Sequence, residues 1–310
     1  MQLPIELSNP CYHDEEAART QLETIRWPDG PFCPYCGSFD RVKQTTTPPK
    51  AKGGGWYHCQ DCRRKFTVRV GSIFHRSHVP LHKWLLGFRL MAGSKKGFSA
   101  HQMHRTLNVD YKTAWFLEHR IRECMKEESG TDPLGGPEKF VEADETFVGG
   151  KARNRAYRKP APKKAVVSLV ERSGRARSRH VANVNADNLK PILEAGIDKN
   201  SHLRTDESGV YWKVGEEFAS HQTVNHSAKE YVRGDAYTNT VEGYFSILKH
   251  GIYGVYQHVS AAHLHRYLAE FDFRYSYRIK LGFDDVTRAT LAIQGAAGRR
   301  LLYRQPGRAA

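Results

Sequence analysis

Apolar runs at helical or strand spacing alternate along the chain with glycine- and proline-rich breaks, and they predict two regions of different character. Residues 1–30 hold an acidic, partly helical stretch, HDEEAARTQLETIRW, that ends at the breaker Pro28-Asp29-Gly30. A helix is predicted from about Lys83 to Met91. After the Gly93–Gly97 break come two more, Ser99–Leu107 and about Tyr111–Lys126, joined by the short turn Asn108-Val109-Asp110. Ser99 is placed to cap the first of this pair, and Asn108 or Asp110 the second. In the second helix Ala114, Leu117, Ile121 and Met125 share one face, which leaves Lys112, Phe116, His119 and Glu123 on the other.

SGTDPLGGPEK reads as a linker. Beyond it come a strand, FVEADETFV, a basic loop, GGKARNRAYRKPAPKK, and a hairpin of AVVSLVE and RHVANV across Ser173-Gly174. A helix near Asn185–Ala195, a strand SHLRTD, a helical stretch Val210–Phe218, a strand near TVNH and a helix from about Asn239 complete the pattern. This order predicts an α/β fold with a mixed sheet. No internal repeat is present.

Charge narrows the class of partner. The 310 residues carry 48 Lys+Arg against 33 Asp+Glu, a net charge of +15, and the basic residues are dispersed among aromatics through the chain, which points to nucleic acid. The opening MQLPIELSNP lacks the order of a signal peptide and no apolar run approaches membrane-spanning length, so a cytosolic, nucleoid-associated protein is expected.

Four of the six cysteines form two pairs, Cys33-Pro-Tyr-Cys36 and Cys59-Gln-Asp-Cys62, with 22 residues between them. Each pair offers two thiolates from a tight turn, so the four predict a structural Zn²⁺ in a zinc ribbon. So short a segment has too little core to fold without the metal. His58, His75 and His78 are not needed as ligands, and Cys11 and Cys124 are expected to be buried. Between the pairs, TTTPPKAKGGGW reads as a loop or hairpin tip. Arg63, Arg64, Lys65 and Arg69 cluster on and after the second pair, where they suit phosphate contacts. Lys112 and Thr113 fall in the first turn of the second helix of the pair, the position from which a helix-turn-helix reads DNA, and His119 lies on the same predicted outer face.

The candidate chemistry is acidic. Asp144 lies in FVEADETFV, Asp206 ends SHLRTD, and Glu242, with 35 residues between it and Asp206, stands at the start of a helix. Three carboxylates converging on hard divalent cations would suit phosphoryl transfer. Glu142, Glu145, Glu207 and Asp235 are neighbouring rivals among which spacing does not choose.

The blocks VEADETFVGGK, RTDES and YTNTVEGYFSILKHGIYG resemble those of the DDE transposases of zinc-ribbon insertion sequences, relatives of the Merlin transposons. CPYCG, CQDCRRKFTVRVGSIF and HLHRYLAEFDFRYSYR resemble the same family, so the likeness covers most of the chain. It implies a ribonuclease-H-like mixed sheet with flanking helices, and a triad of Asp144, Asp206 and Glu242 that binds Mg²⁺ or Mn²⁺. Two positions depart from the family pattern: Tyr237 stands where a histidine is expected, and Ser276 where relatives have asparagine. Ser246 and Lys249 follow Glu242 on one helical face, and Lys249 suits a phosphate beside the scissile bond.

The expected organisation is an N-terminal helical segment (1–30), a zinc ribbon (31–74), a helix-turn-helix-like region (75–128), a ribonuclease-H-like catalytic domain (138–280) and a basic C-terminal tail (281–310). The expected activity is cleavage of DNA at terminal inverted repeats followed by strand transfer, with DNA ends and target as partners and at least a dimer by analogy. The rivals are a zinc-ribbon regulator with a decayed catalytic domain and a non-joining nuclease of the same fold. Tyrosine recombination through the run His263, His265, Arg266, Tyr267 is disfavoured, because residues so close in one helix point to different faces.

Overall fold

The computed structural model describes residues 2–45, 55–128, 130–149, 162–228, 230 and 232–302. Most of the loop between the cysteine pairs and most of the basic loop after Val148 lie outside the described residues. In chain order the helices and strands are α1 (Glu15–Arg26), β1 (Val42–Gln44), β2 (Tyr57–Cys59), β3 (Lys65–Phe66), α2 (Leu81–Gly93), α3 (Ala100–Leu107), α4 (Tyr111–Met125), β4 (Phe140–Val148), β5 (Lys164–Glu171), β6 (Ala176–Val181), α5 (Ala186–Gly196), β7 (His202–Asp206), α6 (Trp212–Gly215), β8 (Ser220–Val224), α7 (Asn239–Gly251), α8 (Ala261–Ser276) and α9 (Asp285–Gln294). They form two units. The first is residues 1–94, 98–126 and 283–310, and the second is residues 95–97 and 127–282.

In the first unit β1, β2 and β3 make a small antiparallel sheet. It is joined to α1 through apolar packing: Trp27 meets Tyr57 edge-on at 5.3 Å, Phe66 is fully buried, and the Tyr57 hydroxyl donates to Glu23 at 3.0 Å. Asp14 caps α1 by accepting from the Ala17 amide at 2.8 Å. Ser99 and Gln102 form a capping box on α3, and Asn108 closes that helix in the left-handed conformation at φ 47°. Asp110 occupies the N-cap of α4 without a side-chain bond to it.

Three expectations for this unit are corrected. Residues 285–294 are not tail: they form α9, whose Val286, Ala289, Ala292 and Ile293 are buried and which packs on α1, α2 and α4. With helices on several sides, α4 has no simple outer face. Glu118, His119, Arg120 and Arg122 are all buried along with its apolar stripe, and His119, expected on the outer face, is 0% exposed with its ring edge-on to Trp115 at 4.2 Å. Arg69 is also spent internally, donating to the Ser77 and Val79 carbonyls at 3.1 and 2.9 Å and pairing with Glu15 at 2.7 Å.

The second unit is built on a five-stranded mixed sheet in the order β6-β5-β4-β7-β8. The β4-β5-β6 part is antiparallel, with the β5–β6 turn passing through Ser173 at φ 57°, while β7 and β8 run parallel to β4. Strand residues alternate between two apolar layers. Val141, Ala143, Val167, Leu169 and Leu203 face a layer with Leu189 and Leu193 of α5 and with Tyr211 and Phe218. Val148, Val166 and Val170 face the other layer, with Val241, Tyr244 and Leu248 of α7 and Leu264, Leu268 and Phe271 of α8. Ser276, one of the two departures from the family pattern, ties α8 to β6 by accepting from the Ala176 amide at 3.0 Å. Tyr267 is buried and packs against Tyr256 at 4.8 Å, which removes it as a nucleophile.

Candidate functional site

Two sites emerge, one in each unit. In the first unit, Cys33, Cys36, Cys59 and Cys62 bring their four sulfurs within 4.8 Å of one another, with Cys33–Cys62 at 3.5 Å and Cys36–Cys59 at 3.7 Å. A tetrahedral ion with Zn–S bonds of about 2.3 Å needs sulfurs about 3.8 Å apart, so this spacing fits zinc. Disulfides would need sulfurs about 2.05 Å apart. Strand β2 delivers Cys59, and its pairing to β1 and β3 holds the second cysteine turn against the first. Cys11 and Cys124 are buried elsewhere as expected, and burial pushes the Cys11 thiol up to about 11. Arg63, Arg64 and Lys65 are exposed beside the cluster, with the Arg64 guanidinium 4.8 Å from the centre of the Tyr35 ring.

Also in the first unit, a cleft of about 300 Å³ runs between residues 76–79 and α4. Arg76, His78, Lys112, Thr113 and Arg120 line it around Trp84 and Phe116. Lys112 is exposed there, as the sequence predicts.

The acidic site of the second unit arises from strand register. Glu142 of β4 pairs with Arg204 of the parallel strand β7, and the same register carried two residues further brings Asp144 level with Asp206, whose charge acts on it. Neighbouring strands are about 4.8 Å apart, and equal register on parallel strands puts both side chains on one face. That face is the one α7 covers, and Glu242 lies in the first turn of α7, its amide donating to the Thr238 carbonyl at 3.1 Å. Burial pushes the Asp144 carboxyl up to about 7, with the charges of Glu145, Asp206 and Glu242 adding to the shift against one bond from the Glu145 amide. Asp144 therefore feels the charges of both Asp206 and Glu242. Their oxygens are not gathered as tightly as the cysteine sulfurs, since among the described residues only the cysteines bring three ligand atoms within 4.8 Å. Glu242 and Ser246 are exposed and Lys249 half-buried on α7.

The rival acids are engaged otherwise. Glu145 points to the opposite face, where it accepts from the Tyr211 hydroxyl at 2.5 Å. Glu207 accepts from the Ser227 hydroxyl at 2.6 Å and Asp235 from Arg204 at 2.7 Å. Glu142, fully buried, binds Arg172 and the amino end of α7. Tyr237, the other departure, lies under the Arg172 guanidinium, whose carbon is 3.4 Å from the centre of the tyrosine ring. Sequence reasoning missed the importance of Glu142 and Arg172, whose only signal was an acid two positions before Asp144.

The chain matches the ISXO2-like transposase domain over residues 133–276 and the transposase zinc-ribbon domain over residues 13–65. It is 26% identical over 280 residues to a protein of the transposable element ISH50 in Halobacterium salinarum, covering 84% of this chain and 90% of that one. Among solved structures, a chain of the simian T-cell lymphotropic virus intasome in complex with PP2A regulatory subunit B56 gamma matches at TM-score 0.30 and 16% identity, covering 56% of this chain and 67% of that chain. That last likeness is too loose to argue from. No helix among the described residues is long and apolar enough to cross a membrane. With a zinc-ribbon match enclosing both cysteine pairs and a transposase match enclosing all three acids, the chain belongs to the zinc-ribbon, IS1595-family DDE transposases.

Proposed function

We propose that this transposase binds the terminal inverted repeats of its insertion sequence and carries out both strand cleavage and strand transfer at Asp144, Asp206 and Glu242. The observation that carries the reading is the β4–β7 register, which brings two aspartates level under the helix whose first turn carries Glu242. The strand order, an antiparallel trio followed by two strands parallel to its first member, supports a ribonuclease-H-like core.

Asp144, Asp206 and Glu242 would hold Mg²⁺ or Mn²⁺, and hard carboxylate oxygens suit those ions. When bound, a pair of such cations supplies activation of the attacking oxygen and charge relief at the leaving oxygen. In cleavage, water adds to phosphorus and the 3′-oxygen leaves as a free hydroxyl. In transfer, that hydroxyl adds to a target phosphodiester and expels a target 3′-hydroxyl. No covalent enzyme intermediate is needed, and the protein's work is positioning and electrostatics. Lys249 lies seven residues after Glu242 along α7 and is proposed to hold a neighbouring phosphate.

The zinc ribbon and the α3–α4 pair are proposed as the DNA-binding region, with Zn²⁺ on the four cysteines and phosphate contacts from Arg63, Arg64 and Lys65. Lys112 and Thr113, in the first turn of α4, read bases in a helix-turn-helix. Synapsis of two ends requires at least a dimer, acting on DNA in the cytosol. The test is an end-containing labelled duplex incubated with Mg²⁺ or Mn²⁺ and a target plasmid, with products sized on a denaturing gel. Joined product is expected. Cleavage without joining would favour a nuclease, and neither product from a DNA-binding protein would favour a decayed regulator.

Two further results are expected. End binding should weaken steeply with salt, and Lys112→Ala should cost about 1–3 kcal/mol on element ends but less on random duplex. An equal loss on both would make Lys112 a phosphate contact. The second concerns pH. In the metal-free fold Asp144 keeps its proton up to about pH 7, whereas an unfolded aspartate ionises near about 3.9. Its contribution to metal-free stability is therefore present at low pH and lost as pH rises through about 7. Cation binding needs the ionised form, so Mn²⁺ affinity should rise with pH up to about 7 and then level off, with proton release on binding below that point. Calorimetry in buffers of different ionisation heat checks this, and a flat affinity with no proton release would contradict it.

A further inference from the structure

A carboxylate removed from water is costly unless its oxygens are bonded to donors, and Glu142 is 0% exposed. Its Oε1 accepts from Arg172 Nε at 2.6 Å and from the Thr240 hydroxyl at 2.8 Å. Its Oε2 accepts from the amides of Thr240 at 2.8 Å and Val241 at 3.0 Å. These amides belong to the first turn of α7, where backbone donors lack intrahelical partners and the helix dipole favours negative charge. Helix caps are ordinarily local. Here Thr238 at the N-cap makes no side-chain bond to the helix amides, and its hydroxyl donates to Glu242 Oε1 at 3.3 Å. The capping carboxylate comes instead from β4, two residues before Asp144 on the same strand face.

Arg172 completes the clamp. Its Nη2 donates to the Tyr237 carbonyl at 2.9 Å and its guanidinium lies over the Tyr237 ring, so the residue just before the N-cap is held as well. The chain is thus gripped on both sides of Thr238, and the residue after Val241 is Glu242.

We infer that Glu142, with Arg172, is a positioning residue for the acidic site: it locks the helix bearing Glu242 to the strand bearing Asp144 and so sets the distance across which a divalent cation is held. This rests on the three-carboxylate reading above. Burying an ion pair adds little net stability over apolar packing, and the bonds of this pair go to the backbone on both sides of Thr238. Groups that orient metal ligands in this way typically change affinity or activity about 10–100-fold when altered.

The experiment uses the full zinc-loaded chain and the variants Glu142→Gln, Thr240→Ala, Thr240→Ser and Glu242→Gln. Each is measured for melting temperature, end binding, Mn²⁺ binding by electron paramagnetic resonance, and cleavage against Mn²⁺ concentration. Glu142→Gln should keep end binding, while its half-saturating Mn²⁺ rises and its maximal cleavage falls by about 10-fold or more. Thr240→Ala should shift the same way by a smaller factor, and Thr240→Ser, which keeps the hydroxyl, should recover most of that loss. If Glu142→Gln fails to fold, the Thr240 pair decides alone. A lower melting temperature with unchanged Mn²⁺ binding and half-saturation in folded protein would reduce Glu142 to a structural cap and overturn the inference, provided Glu242→Gln shows its own loss. If Glu242→Gln also binds Mn²⁺ and cleaves as wild type does, the three-carboxylate reading fails and this inference with it.

Discussion

Replacing Glu242 with Gln is expected to leave binding to element ends intact while strand cleavage and strand transfer both fall by orders of magnitude. Gln keeps the shape and most of the hydrogen bonding of Glu but removes the charge needed to retain a cation. One site serves both steps, so neither should survive without the other, and Asp144→Asn and Asp206→Asn should give the same result. The neighbouring acids are unequal controls. Glu142 is buried against α7 and Asp235 is tied to the buried Arg204, so neither is a bystander. Glu216, exposed at the end of α6, is the suitable one, and Glu216→Gln should keep wild-type rates. Retained cleavage in Glu242→Gln alongside loss in a variant of another acid would move the third member of the triad.

The other large effect is expected at the cysteines. Cys33→Ser or Cys62→Ser should abolish tight zinc binding and unfold the ribbon, because a structural site of this kind contributes about 10–16 kcal/mol of apparent binding free energy that is also folding free energy. The loss should reach DNA binding, since Arg63, Arg64 and Lys65 lie on the turn and strand that follow Cys62. Elemental analysis of purified protein should find one zinc per chain in the wild type and none in either variant. Cys11→Ser should retain its zinc, because Cys11 is buried away from the cluster. Well-folded wild type without zinc would refute the assignment.

Local pattern determined the local structure. The paired CxxC turns announced a four-sulfur site, FVEADETFV and AVVSLVE announced β4 and β5, and the helical stripe of Ala114, Leu117, Ile121 and Met125 is buried as read. These features are encoded within a few residues, by tight-turn ligand spacing and by side-chain periodicity. The acids needed more. Spacing left seven of them open, and only the resemblance of whole motifs selected three.

Tertiary structure decided what depends on partners distant in sequence. Asp144 comes level with Asp206 because β4 and β7 pair in parallel at one register, and no window containing either residue specifies that pairing. His119 is buried, not exposed, because α4 is packed by other helices, including α9 from a stretch that reads as a basic tail. Arg69 turns inward to Glu15 and two carbonyls, so its charge is spent within the fold. Glu142 looks in sequence like one more surface acid, yet it holds the amino end of α7 because helix amides and a guanidinium converge on it from residues far along the chain. Periodicity says which face of an element is apolar, but what covers that face, and which charges are satisfied beneath the cover, is fixed only when the distant elements pack.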